Sequence, residues 1–141
     1  MTWRWPWQRK QAPLAEHLLL GQAGELAARR HLEKKGLHHV CSNYQASHGE
    51  IDLIFRDLAV MVIVEVKTRS SEEWSRPSAA VDQEKRDHLS HAALEYLREL
   101  GNPRVSFRFD IVEVLAENGR FTEIRHLVNA FPLSGSMRYH P

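Results

Sequence analysis

Cysteine is almost missing from this chain of 141 residues, where Cys41 stands alone. A single thiol excludes an internal disulfide and any cysteine-built metal site. It fits a reducing compartment, so a cytoplasmic protein is expected. Charge of one sign is missing too: 19 Lys and Arg against 18 Asp and Glu leave a net charge of +1. Affinity for nucleic acid must then come from a local patch, not a global field. No apolar run approaches the roughly 20 residues that cross a bilayer, and the first residues lack the apolar core of a secretory signal, so no membrane partner is expected. A Walker-type phosphate loop, G-x-G-x-x-G, a serine-nucleophile motif, a Cys-x-x-Cys pair and internal repeats are absent as well.

What is present centres on residues 49–69, which read G-E-I-D-L-I-F-R-D-L-A-V-M-V-I-V-E-V-K-T-R. The apolar residues here are mostly β-branched, which favours strands. The pattern predicts a hairpin with strands at 50–56 and 60–69 and a turn near Asp57 and Leu58. Alternation then places Ile51, Leu53, Phe55, Val60, Val62, Val64 and Val66 on one buried face. The other face carries Ile54, Met61 and Ile63 near the turn, and Glu50, Asp52, Glu65 and Lys67 at the open end.

Two registers keep the apolar faces matched. One sets Asp52 opposite Glu65; the other sets Glu50 opposite Glu65 with Asp52 on the diagonal. Opposed side chains lie about 5 Å apart, where like charges destabilise the pair. Either one carboxylate takes up a proton, or a cation of the Mg²⁺ or Mn²⁺ kind sits between them, and Lys67 offsets part of the repulsion. Two carboxylates holding a divalent ion beside a lysine can activate a water and stabilise charge on a phosphoryl group, as phosphodiester hydrolysis requires. The bland alternative is a ribbon with a salt-bridged, solvated polar face.

By size the chain is one domain. Residues 1–13, rich in Trp, Arg and Pro, are expected to form a disordered tail, with stacking on bases as the sharper reading. Helical spacing runs over residues 14–35 and stops at Gly36, with Leu18, Gly21, Glu25, Ala28 and Leu32 on one stripe. Gly21 and Gly24 suggest a close approach of this helix to the sheet. Arg29 belongs to a basic outer surface suited to phosphates, or simply to solvent. Residues 37–44 read as a first strand. After Arg69 a polar loop lies beside the acidic end of the hairpin, and Trp74 in it can stack on a base or plug the loop. A second helix is expected over 81–100 with Gly101 as its stop. A strand follows over 104–115, then a turn at Asn118-Gly119 and an edge strand over 121–128. Asp110 reads as structural, held by Arg108 or a loop donor. His88 and His91 lack further ligands and are assigned to surface and core. The domain thus spans 14–131, and 132–141 reads as a disordered tail.

An acidic residue on one strand followed by E-x-K on the next resembles the PD-(D/E)XK nuclease superfamily. The fuller string is similar to the YraN family of small bacterial proteins. The matching pieces are Gly21, Gly24-Glu25, Ala28, Gly36, Asn43, residues 49–54 and 64–69, Val81, Lys85, Ala92-Ala93, Tyr96-Leu97 and Arg108-Phe109-Asp110. The resemblance implies a restriction-endonuclease-like α/β fold: a mixed sheet of four to five strands with helices on either side. It implies a nuclease dependent on Mg²⁺ or Mn²⁺, acting on nucleic acid with DNA favoured. Asp52 and Glu65 would hold the metal, Glu25 would join as a further metal or water ligand, and Lys67 would orient the water or stabilise the transition state. Arg69, Lys85, Trp74 and Arg29 are the candidate nucleic-acid contacts. Junction nucleases of similar fold act as dimers, which leaves a homodimer open. Two other classes stay in view: a nucleic-acid-binding or adaptor module whose acidic cluster is a remnant, and a protein-interaction domain using a strand edge.

Overall fold

The computed structural model describes residues 8–71, 74 and 81–141, with side chains from residue 19 onward. Its elements are α1 (Gln8–Lys34), β1 (His38–Ala46), β2 (Gly49–Asp57), β3 (Val60–Arg69), α2 (Gln83–Glu99), β4 (Ser106–Glu117) and β5 (Arg120–Phe131). The strands form one five-stranded sheet in sequence order, β1 to β5. Neighbours are antiparallel except β3 and β4, which run parallel. A parallel pair needs a crossover, and α2 supplies it. With one helix on each face, this is the restriction-endonuclease-like arrangement expected.

Alternation along the strands explains the two cores. Leu53, Phe55, Val62 and Val64 meet Ala28 and Leu32 of α1, while Ile54, Ile63, Phe109 and Ile111 meet Leu89, Ala92, Ala93 and Tyr96 of α2. Ile51 departs from expectation. It packs on the α2 side, away from Leu53, so alternation fails between them.

Both helices end as the glycines foretell. Leu37 donates its backbone N–H to Leu32 and Gly36 to Glu33, with Gly36 at φ +94°; Asn102 donates to Leu97 and Gly101 to Arg98, with Gly101 at φ +82°. Only a residue free of a Cβ takes that left-handed turn cheaply. At its start α2 is capped by Asp82, whose side chain accepts from the Lys85 N–H at 2.9 Å. Gly24 answers the expected close approach: a Cβ there would stand 2.2 Å from Thr68 Oγ1 on β3. A Cβ at Gly21 would meet nothing within 4 Å, so helix contact does not explain that glycine.

Two boundaries move. Helix α1 begins at Gln8, and Pro13 lies inside it; of the expected tail, residues 1–7 lie outside the described residues. The segment 132–141, expected to be disordered, is anchored. Ser134 is buried and donates its N–H to Ser90 Oγ at 3.1 Å, Leu133 packs on the α2-side core, and Tyr139 donates its hydroxyl to the Pro103 carbonyl. Each contact satisfies a polar group or covers apolar surface that β4 and α2 leave open. Among the described residues no helix is long and apolar enough to cross a membrane.

Candidate active site

The β2–β3 ladder runs from Asp57↔Val60 to Leu53↔Val64 and stops. This register would bring Asp52 opposite Glu65 one step further on. Instead the strands part there, and the Asp52 Oδ2 carboxylate oxygen accepts the Val66 N–H at 2.8 Å. A side chain thus takes the bond that the ladder gives up. The gap opens onto a cavity of about 450 Å³ lined by Leu20, Gly21, Glu25, Asp52, Glu65 and Arg69 among others.

Three carboxylates from three elements meet at this opening. Asp52 lies within hydrogen-bonding reach of Glu65, and Glu25, arriving from α1, within reach of Asp52. They form a chain with Asp52 in the middle. Among the described residues no group of three or more His, Cys, Asp or Glu side chains is arranged to hold a metal ion as it stands. Glu65 is only 4% exposed, and among the described residues no donor reaches its buried Oε2. Its Oε1 has two cations at 3.6 Å: Lys67 Nζ from its own strand and Lys85 Nζ from the first turns of α2.

Burial, then the Asp52 charge, pushes the Glu65 carboxyl up to about 7 against the pull of Lys85 and Lys67. Burial, then the charges of Asp52 and Glu50, pushes Glu25 to about 7. Asp52 is raised as well: burial outweighs its bond from Val66 and the field of Lys85. The crowding read from the sequence is therefore real. Near neutral pH the cluster holds protons, or something positive must replace them.

What the site offers a divalent cation is a pair of carboxylates, Asp52 and Glu65, and not a set of three ligands. Hard carboxylate oxygens suit Mg²⁺ or Mn²⁺, and the buried Glu65 oxygen without a donor is the kind of atom an ion satisfies. Asp52 and Glu65 are the pair in direct reach of each other; Glu25 joins them through Asp52.

The expected nucleic-acid contacts separate. Lys85 stands at the carboxylates. Arg69 lines the cavity with its Nε 3.4 Å from Glu113 Oε2. Trp74 is held against β5: Arg125 stacks over its ring at 3.7 Å and donates to its carbonyl, while its indole N–H donates to Glu123. Arg29 pairs with Glu33 at 2.7 Å and lines a different cleft, beside Gly36 and His38. Asp110 is structural as expected, accepting from Arg108 and the Asn129 N–H and bonded to His126.

Two residues escaped the sequence reading. Glu113, fully buried on β4, sits between Arg69 and Arg125 at 3.4 and 3.5 Å. Its signal was available, since I-V-E-V on β4 repeats the buried-carboxylate pattern of V-I-V-E-V on β3. Asn43 matched the family string but carried no role. With its amide nitrogen turned to the carboxylates it donates to Glu50 Oε1 at 2.7 Å and Glu25 Oε2 at 3.1 Å.

Comparison with known proteins places these residues in a family. Residues 24–114 match the model of the uncharacterised protein family UPF0102, a span that takes in Glu25, Asn43, Asp52, Glu65, Lys67 and Glu113. The chain is similar to a UPF0102 protein of Pelotomaculum thermopropionicum, 40% identical over 114 residues, covering 80% of this chain and 95% of the relative. A UPF0102 protein of Bacteroides thetaiotaomicron is 42% identical over 118 residues, 84% of this chain and 96% of that one. One of Solibacter usitatus is 44% identical over 99 residues, 69% of this chain and 75% of the other.

Proposed function

We propose that this chain, which belongs to the uncharacterised protein family UPF0102, the YraN family of the resemblance above, is a nuclease that needs Mg²⁺ or Mn²⁺ and cuts phosphodiesters, with DNA the favoured substrate. The observation that carries this reading is the site at the parted end of β2 and β3. There Asp52 and Glu65 line one cavity, a buried Glu65 oxygen has no donor among the described residues, and two lysines stand 3.6 Å from the other oxygen of that carboxylate.

Asp52 and Glu65 would hold the ion, which when bound supplies Lewis acidity toward a phosphoryl oxygen and a more acidic water. Glu25 holds Asp52 in place and, with its carboxyl raised to about 7, is suited to take a proton from an attacking water near neutral pH. Lys67 orients that water or stabilises the charge that develops on phosphorus. Lys85 and Arg69 stand where a substrate phosphate would enter.

A cleavage screen over single-stranded, duplex, flap and four-way-junction substrates, with and without Mn²⁺, tests the reading. Metal-dependent cutting is expected, reduced about 10²–10³-fold or more in Lys67→Ala and Asp52→Asn, with unchanged circular dichroism. Cutting retained in both variants would refute it. Nucleic acid bound without cutting or Mn²⁺ affinity would favour the binding module instead.

A further inference from the structure

Asn43 lies in the middle of β1 with φ at +54°. Asparagine tolerates this left-handed backbone better than most residues with side chains. Its neighbours Ser42 and Tyr44 pair with Leu53 and Ile51, so Asn43 stands across from Asp52, yet it is skipped in the ladder. Both strands register the disturbance. Cys41 and Tyr44, three residues apart, pack on the same α2-side core, while Ile51 and Leu53, two apart, pack on opposite sides. Strict alternation forbids both. The reversal on β1 therefore sits directly opposite a reversal on β2, and Asp52 is the residue at which β2 changes sides.

The side chain completes the device. A primary amide has two N–H donors and no charge, and with the nitrogen of Asn43 turned to the carboxylates the two reach Glu50 on β2 and Glu25 on α1. Turned the other way, its oxygen would add an acceptor to a place that already has too many.

We propose that Asn43 is the positioning residue of the carboxylate site. Its left-handed backbone turns Asp52 toward α1, and its amide holds Glu25 against Asp52. The functional consequence rests on the nuclease reading; the geometric claim does not. Outer partners that orient metal-binding carboxylates commonly matter 10–100-fold to metal affinity.

Asn43→Gly separates the two parts, because glycine keeps the left-handed backbone and removes only the amide. The metal-free variant should crystallise with Glu25 swung away from Asp52, and its Mn²⁺ affinity, measured by calorimetry, should fall about tenfold or more with little change in melting temperature. If Asn43→Gly does not fold, Asn43→Asp replaces it in crystals grown well above pH 7, since aspartate also accepts this backbone and, once ionised, cannot donate to a carboxylate; the same displacement is expected. Glu25 found still against Asp52 would overturn the inference, and so would wild-type Mn²⁺ affinity in the variant. Glu25 displaced in the variant of a protein that binds no Mn²⁺ even as wild type would leave Asn43 its role and refute the nuclease reading.

Discussion

At the scale of single residues, the site is a balance between buried carboxylates and nearby cations, and pH tests it. Glu25 and Glu65 have an ordinary value of 4.5 and stand at about 7 in the folded chain. Between those pH values the folded chain keeps protons that the unfolded chain has released, so stability must fall as pH rises from about 4.5 to 7. The lowered carboxyl of Asp110, where burial is outweighed by His126, Arg108 and Asn129, acts in the opposite sense and only below 3.8. The imidazoles of His31 and His39, lowered chiefly by burial, oppose the trend inside the window, so the comparison with a Glu65 variant isolates the cluster. Thermal melts in a chelator should therefore show the melting temperature declining across that window, with a shallower decline in Glu65→Gln. The same slope in Glu65→Gln as in the wild type would mean that the cluster is not buried as described. Asp52, Glu65 and Lys67 were legible in the sequence because charges among β-branched neighbours stand out from a solvated strand. Glu25 was legible through helical spacing joined to a family pattern. The role of Asn43 was not, because a single left-handed residue leaves no mark on a period of two.

At the scale of elements, α1 must come close to β3 for Glu25 to reach Asp52. Gly24 is the contact point, with Thr68 Oγ1 2.2 Å from where a Cβ would be. Gly24→Ala gains ~1 kcal/mol of helix propensity but forces an overpacking that costs about 1–3 kcal/mol. Net destabilisation is expected in urea unfolding, and Thr68→Ala in the same chain should reverse it. Gly21→Ala, with nothing within 4 Å, should instead be neutral or stabilising by up to ~1 kcal/mol. The two glycines looked alike in the sequence. Only the sheet beneath distinguishes them. The hairpin register was one of two left open, and the observed pairing through Leu53↔Val64 is the one that aims Asp52 at Glu65. The parting of the strands just beyond that pair could not be read from apolar spacing, because it depends on a side chain replacing a ladder bond.

At the scale of the whole molecule, one sheet between two helices follows from hydrophobic patterning: period 2 on the strands, period 3.6 on the helices, and a crossover forced by the parallel β3–β4 pair. The C-terminal segment was misread because its sequence is polar and aperiodic. Its anchors, Ser134 to Ser90, Leu133 on the core and Tyr139 to Pro103, are contacts over 36 to 44 positions that no local pattern announces. Deleting residues 134–141 should cost about 4 kcal/mol, at ~1 kcal/mol for each of the four hydrogen bonds that join Ser134 and Tyr139 to Gln83, Ser90 and Pro103, visible as a lower denaturant midpoint; an unchanged midpoint would contradict the anchoring. With a net charge of +1, the molecule has no general attraction to nucleic acid, so its function depends on the local site. The direct test is Mn²⁺ titrated calorimetrically into the full chain above pH 7, wild type beside Glu65→Gln. Saturable binding in the wild type that disappears in the variant is expected. No binding at millimolar Mn²⁺, or equal binding in both, would contradict the account.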